Sequence, residues 1–200
     1  MIRRLALLLA MAVSTPCLAL DSSARAPIEA LDTGLVEAMR AGARPFAERY
    51  AMLAPLVERA FDLDAILQSS VGPKWANFTP AQQQQLRAEF SRFTIASYVA
   101  NFSSFSGERF EIGPDSRTIG ADQVVETRII MAKGDPARID YVMRQDPGGW
   151  RAIDVLLDGS ISRAAVQRSD FRSLVDTGPE PLVESLHNKA MALSGGVSLP

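Results

Sequence analysis

The chain has almost none of the residues on which thiol, imidazole or metal chemistry depends. Its 200 residues include one cysteine, Cys17, and one histidine, His187. Without paired cysteines there is no disulfide framework, so the hydrophobic core alone must hold the fold together. His187 lies in a predicted late helix with no cluster of Cys, Asp or Glu near it, which indicates a surface or packing residue. No spacing of His, Cys and carboxylates fits a zinc or iron site, so no cofactor is expected.

An excess of charge of one sign is also missing. The 21 basic and 23 acidic residues leave a formal net charge of −2. No basic stripe is visible, which excludes a nucleic-acid-binding surface of the usual kind. There is no G-x-S-x-G nucleophile motif and no phosphate-binding glycine loop. After Val13 no run is apolar enough for a membrane span, which needs about 20 residues.

The first 19 residues have the pattern of a secretory signal peptide. Residues 3–4 are arginines, residues 5–13 are apolar, and Cys17 and Ala19 place small residues at −3 and −1. This pattern predicts cleavage after Ala19, which would remove the only cysteine and direct the chain to the periplasm. The alternatives are a retained anchor and lipidation of Cys17, which Pro16 disfavours.

Hydrophobic periodicity predicts helices in the first half of the mature chain. Apolar residues recur every three or four positions in residues 27–42 and again from Pro45 onward. Pro55 is expected to kink or divide the second of these helices. Asp62 is the predicted N-cap of a short third helix. Residues 79–82, Thr-Pro-Ala-Gln, form a capping box that opens a long fourth helix to about residue 103.

After Gly107 the hydrophobic period changes to two, which predicts strands. The predicted strands are 109–112, 123–133, 139–144 and 150–157, and the last is the most apolar and therefore expected to be the most buried. Helices follow at 162–176 and 180–193, and the tail 194–200 is predicted to be disordered. Helices, a four-stranded antiparallel β-meander and further helices indicate one α+β domain over residues 20–193.

Two features of the predicted sheet are candidates for function. Asp140 and Asp154 lie in neighbouring strands and could act as paired acids, although salt bridges to Arg138, Arg144 or Arg151 are the favoured interpretation. Aromatic residues and methionines also gather on one sheet face. Phe90, Phe93, Tyr98 and Phe102 of the long helix oppose Ile129, Met131, Tyr141 and Met143 of the strands. Periodicity alone leaves open whether they enclose a packed core or a ligand cavity.

Several ordered blocks of sequence resemble the periplasmic phospholipid-binding component of the Mla, or toluene-tolerance, transport system. The blocks are Gly72-Pro73-Lys74-Trp75, Thr79-Pro80-Ala81-Gln82-Gln83, Phe90 with Thr94 and Tyr98, Ile139-Asp140-Tyr141, Gly149-Trp150-Arg151, Asp154-Val155, Gly159-Ser160-Ile161-Ser162 and Arg168-Ser169-Asp170-Phe171. Asn101-Phe102, residues 158–162 and residues 168–171 are most similar to the hopanoid-biosynthesis-associated branch of that family. Ile153 and Gln167 depart from the family's aromatic residues at those positions.

The resemblance implies a curved sheet and helices around an apolar cavity for lipid tails, with the polar head near the mouth. It implies a monomeric, non-catalytic shuttle that carries a phospholipid or hopanoid between an inner-membrane lipid transporter and an outer-membrane component. The expected lipid-binding residues are Phe90, Phe93, Tyr98, Phe102, Val125, Ile129, Tyr141, Met143 and Val155. Two other hypotheses remain open: an envelope adaptor that binds only protein, and an enzyme with Asp140 or Asp154 as base acting on a polycyclic lipid.

Overall fold

The computed structural model describes residues 23–200, without the side chains of residues 115 and 116; the predicted signal peptide lies outside this range. The helices are α1 (Ala26–Arg40), α2 (Phe46–Ala60), α3 (Leu63–Val71), α4 (Pro80–Asn101), α5 (Arg163–Phe171) and α6 (Glu180–Leu193), with short 3-10 turns at Gly72–Asn77 and Ser173–Val175. The strands are β1 (Arg109–Ile119), β2 (Asp122–Ile130), β3 (Ala137–Asp146), β4 (Gly149–Leu157) and β5 (Ile161–Ser162). The predicted α+β fold is confirmed.

Both helix caps predicted from the sequence form. The Asp62 carboxylate accepts the backbone N–H of Ala65 at 3.0 Å, which begins α3. At the start of α4 the Thr79 hydroxyl accepts the N–H of Gln82 at 3.3 Å, and the Gln82 side chain accepts the N–H of Thr79 at 2.9 Å. These reciprocal bonds satisfy amide groups that have no partner inside the helix. They therefore hold the N-terminal end of the helix that later lines the site.

Pro55 does not divide α2, which was one of the two expected outcomes. The helix runs without a break from Phe46 to Ala60. A proline removes the hydrogen bond to the carbonyl four residues earlier, here that of Ala51. Pro55 and Ala51 both lie on the exposed side of the helix, so water can reach that carbonyl. The helix therefore keeps its buried face, with Leu53 and Val57, intact.

The antiparallel sheet has five strands in sequential order, not four. β5 is a two-residue strand that pairs with the end of β4. β1 is also longer than the predicted strand 109–112, because it continues through Gly113 and Pro114, residue types that usually end a strand. The pairing with β2 shifts register between Ile112 and Ser116. A proline is tolerated there because β1 is an edge strand and the irregularity removes the need for a ladder N–H.

The apolar strand β4 is not the most buried strand, contrary to the expectation, because β2 and β3 each bury four residues. Four consecutive β3 residues, 140–143, are buried, whereas β4 buries only Ala152 and Leu156. β2 and β3 each have long strands on both sides, whereas β4 has only the two-residue β5 on its outer side. In addition, Val124, Val142 and Leu156 form a small apolar cluster on the outer sheet face, so that face is not uniformly polar as expected. Position in the sheet therefore outweighs the hydrophobicity of the strand.

The last helices differ slightly from the prediction. Residues 162–176 form α5 and a separate 3-10 turn rather than one helix, while α6 has the predicted bounds. The segment 194–200, for which the sequence predicts disorder, contacts the body of the domain. Leu199 is buried, and the Nε of Arg92 donates to the carbonyl of Pro200 at 2.9 Å.

Candidate functional site

A cavity of about 410 Å³ lies between α4 and the inner face of β3 and β4, with α3 and α5 at its sides. Its volume is in the range of ligand-binding pockets. Most of the wall is apolar, and the polar groups are few. The lining residues are Phe61, Leu63, Ile66, Phe90, Phe93, Thr94, Ser97, Tyr98, Asn101, Phe102, Ile139, Tyr141, Asp154, Val155, Leu157, Arg163 and Gln167.

Aromatic rings form a continuous part of this wall. The ring centroids of Tyr141 and Phe61 are 5.9 Å apart, and those of Phe61 and Tyr98 are 5.5 Å apart. Tyr98 stacks on Phe102 at 6.0 Å, and Phe102 contacts Phe110 of β1 at 5.9 Å. These separations lie in the favourable range for aromatic pairs. The chain of rings ties α4 to the sheet and presents a rigid apolar surface.

Polar residues of α4 share the side of the helix that faces the cavity with Phe90. Phe90, Thr94, Ser97 and Asn101 are spaced by four, three and four residues, so they lie along one stripe of the helix that faces the cavity. The Ser97 hydroxyl donates to the carbonyl of Phe93 at 2.8 Å, which satisfies it within its own helix. Sequence analysis missed this stripe because it followed only the aromatic residues. The polar residues at helical spacing beside an aromatic set were the available signal.

Six of the nine predicted lipid-binding residues line the cavity: Phe90, Phe93, Tyr98, Phe102, Tyr141 and Val155. The structure places Val125, Ile129 and Met143 elsewhere. Val125 and Met143 belong to the closed hydrophobic core, and Ile129 is buried where β2 pairs with β1. Met131, assigned to the same face, lies beyond the end of β2 and is 43% exposed.

The junction between α2 and α3 explains why Met143 is outside the cavity. Met143 is opposite Ala152 in the β3–β4 pairing. Phe61 forms a bridge with Ala152, and the N–H of Asp62 donates to the Ala152 carbonyl at 2.9 Å. This contact seals that end of the sheet, so Met143 is completely buried in the core.

An unpartnered carboxyl group lies behind the tyrosine part of the wall. Asp32 of α1 is only 6% exposed, and neither of its oxygens has a hydrogen-bond partner within residues 23–200. Burial, and secondarily the charge of Glu29, raises the pKa of Asp32 from 3.8 to about 7. Burial also raises the pKa of Tyr98 and Tyr141, and the nearby Asp32 carboxylate adds to both shifts. Both tyrosines are therefore neutral at physiological pH.

The two aspartates proposed as paired acids do not meet. The Asp140 carboxylate is fully buried and binds Arg138 through two hydrogen bonds of 2.9 and 2.8 Å, with Arg117 at 3.1 Å. Its pairing with Arg138 is therefore confirmed. Asp154 lines the cavity, and no arginine of the described range 23–200 pairs with it. The favoured interpretation of Asp154 as part of a salt bridge is wrong.

Asp154 instead completes the N-terminal cap of α5. Its Oδ1 accepts the backbone N–H groups of Val155 at 2.8 Å and Ala164 at 3.0 Å, and its Oδ2 accepts the hydroxyl of Ser162. The same hydroxyl accepts the N–H of Ala165 at 3.0 Å. A carboxylate at this end of a helix also interacts favourably with the helix dipole. The residue therefore has a structural role that accounts for its charge.

Replacing Asp154 tests this assignment. We expect Asp154→Asn to lower the free energy of unfolding by roughly 1–2 kcal/mol, because an amide supplies one acceptor oxygen and no charge to the cap. Lipid occupancy should stay near that of wild type. Urea unfolding of delipidated protein measures the loss, with the exposed Asp158→Asn as control. Wild-type stability, or loss of a chemical activity in the folded variant, would contradict the assignment.

Other chemistry is sparse in the described part of the chain. His187 is half exposed, and its Nδ1 lies 3.4 Å from a Glu89 oxygen, which agrees with a surface residue. Between residues 23 and 200 there is no group of three or more His, Cys, Asp or Glu placed to bind a metal ion. Over the same range no helix combines the length and hydrophobicity needed to cross a bilayer.

Known proteins share the fold and the sequence pattern of this chain. The structure superimposes on a phospholipid-binding protein from Ralstonia solanacearum, solved in complex with a phospholipid, with a TM-score of 0.72. The match covers 85% of this chain and 96% of the other at 19% identity, so it establishes the fold. No curated protein sequence matches. The family model described as MlaC protein matches residues 30–188. The chain belongs to the MlaC family.

Proposed function

We propose that this protein is a non-catalytic carrier that holds the apolar part of a lipid in the cavity between α4 and the sheet. The observation that carries the proposal is the apolar, aromatic-walled cavity of about 410 Å³ in a chain of the MlaC family. The structural relative from Ralstonia solanacearum, which shares the fold, binds a phospholipid. A phospholipid is therefore the first cargo to test.

The physical reason for such a cavity is the cost of moving lipid tails through water. Each methylene group exposed to water costs about 0.8 kcal/mol, so even half an acyl chain requires an apolar enclosure. The rings of Phe61, Tyr98 and Phe102 supply that enclosure on one side. Their rigidity matters because a cavity that remains open without ligand avoids reordering side chains at each binding event.

We place the carrier in the periplasm. The secretory pattern of residues 1–19 and the family membership support this location. There it would exchange lipid with an inner-membrane transporter and an outer-membrane component, acting as a monomer. A hopanoid is the alternative cargo, because residues 101–102, 158–162 and 168–171 are most similar to the hopanoid-associated branch.

Native mass spectrometry of protein purified from its own host tests the proposal. We expect a population heavier than the polypeptide by the mass of one lipid, which dissociates on activation and is identified by fragmentation. Delipidated protein should take up lipid again from phosphatidylglycerol vesicles.

The other hypotheses give different results in this experiment. A chain that neither retains lipid nor binds it from vesicles would overturn the carrier function. If such a chain turned over a lipid substrate it would be an enzyme, and if it only formed a complex with an envelope protein it would be an adaptor.

A further inference from the structure

The two charged side chains at the cavity wall differ in how they are bonded. The side chains that line it include one acid, Asp154, and one base, Arg163. The Asp154 carboxylate is already occupied by two backbone N–H groups and the Ser162 hydroxyl. Within residues 23–200 Arg163 makes no ion pair and no side-chain hydrogen bond. Arg163 is therefore the one charged side chain of the lining that has no hydrogen-bonded or ion-paired partner within the described residues.

Local structure does not explain an arginine at this position. Arg163 is the first residue of α5, the positive end of the helix dipole. A cation in the first turn of a helix is unfavourable for helix stability, whereas an acid is favourable there. Arg163 is also exposed, so it contributes little to the hydrophobic core. Arg163 lines a cavity whose wall is mostly apolar, so its guanidinium group is placed to contact a ligand bound there.

The surroundings of Arg163 suit an anionic group that stays in contact with water. Gln167 lies one turn further along α5 and also lines the cavity, and Asn101 lines it from the C-terminal end of α4. The guanidinium group presents planar paired donors, which match the oxygens of a phosphate better than a lysine does. Amide side chains can add neutral hydrogen bonds to the same headgroup.

We propose that Arg163 binds the phosphate of the lipid headgroup at the cavity edge and makes the protein select phosphate-bearing lipids over neutral ones. This rests on the proposed carrier function and narrows its cargo. A neutral polycyclic lipid would leave the guanidinium without a partner and would gain nothing from it. The residue thus separates the two cargo classes, phospholipid and neutral hopanoid, by charge.

The test compares two lipids with the same acyl chains, dioleoylphosphatidylglycerol and dioleoylglycerol, which differ in the phosphate-bearing headgroup. Delipidated protein is incubated with both in mixed vesicles, and native mass spectrometry gives the ratio of the two bound forms. We expect wild type to favour phosphatidylglycerol and Arg163→Gln to lower the ratio by roughly tenfold or more, the usual scale for a charged hydrogen bond. Arg163→Lys should fall between them, because it keeps the charge without the paired donors.

Arg172→Gln is the matched control, because Arg172 is an exposed arginine that follows α5 and does not line the cavity. It should leave the ratio unchanged. The melting temperature of delipidated Arg163→Gln should equal or exceed that of wild type, because a cation leaves the positive end of the helix. Increasing salt should reduce the wild-type preference and have little effect on the variant.

Two failures are distinguishable. If wild type binds both lipids equally, or if Arg163→Gln and wild type give the same ratio of bound lipids, Arg163 does not select for the headgroup. The proposed carrier function is unaffected by that result. If wild type binds neither lipid, the carrier function itself is wrong. Equal loss of both lipids in Arg163→Gln would assign the residue a structural role and overturn the selectivity proposal.

Discussion

Asp32 is expected to contribute a loss of stability as the pH rises from 4 to 8, because it is buried without a hydrogen-bond partner in the described range 23–200. Its pKa is about 7 in the folded state against an ordinary 3.8. Below pH 4 the group is protonated in both states and costs nothing. Above that pH the unfolded chain releases the proton first, and the loss is complete above pH 7. The total decrease in the free energy of unfolding is roughly 4 kcal/mol, of which roughly 3 kcal/mol occurs between pH 5 and pH 8.

Asp32→Asn isolates this contribution from that of the other carboxylates. The free energy of unfolding of the variant minus that of wild type should increase by roughly 3 kcal/mol from pH 5 to pH 8. Urea unfolding of delipidated proteins at both pH values measures it. Glu37→Gln, which removes an exposed acid from the same helix, should show no comparable change. The prediction would be contradicted if the difference in free energy of unfolding between Asp32→Asn and wild type were the same at both pH values.

Filling the cavity should abolish most lipid binding. Ser97→Phe places a ring on the α4 stripe, where the wild-type hydroxyl bonds only to the carbonyl of Phe93 in its own helix. Displacing about two to four methylene groups of the ligand, at ~0.8 kcal/mol each, weakens binding roughly 10- to 200-fold. The apo protein should keep its melting temperature, because the ring enters existing space. Lipid uptake from phosphatidylglycerol vesicles measures the loss.

Met143→Trp provides the contrast for this variant. Met143 is fully enclosed in the core, so a larger side chain should overpack it and cost about 1–3 kcal/mol of stability. The fraction of folded molecules that binds lipid should stay close to that of wild type. The comparison requires delipidated samples, because bound ligand stabilises the folded state. If Ser97→Phe instead destabilised the apo protein and bound lipid normally, the cavity would be misplaced.

The sequence predicted the parts of the fold that depend on local chemistry. The capping box at Thr79 and the cap at Asp62 are short-range hydrogen-bond patterns, and both form as predicted. The extent of β1 was wrong because Gly113 and Pro114 usually end a strand. Only the neighbouring strand β2 shows that the chain continues past them as an irregular edge. The continuity of α2 through Pro55 could not be predicted for a similar reason, because it depends on which side of the helix is exposed to water.

The sequence by itself determined the order of helices and strands. It also predicted six of the residues that line the cavity, because hydrophobic periodicity indicates which face of a helix or strand is buried. Tertiary structure alone decided where the core ends and the cavity begins. Met143 and Tyr141 have the same periodicity on β3, yet the α2–α3 junction covers one and leaves the other at the cavity wall. It also decided that Asp154 caps α5 and that Arg163 has no ion-pair partner among residues 23–200, because these facts depend on which groups meet across distant segments.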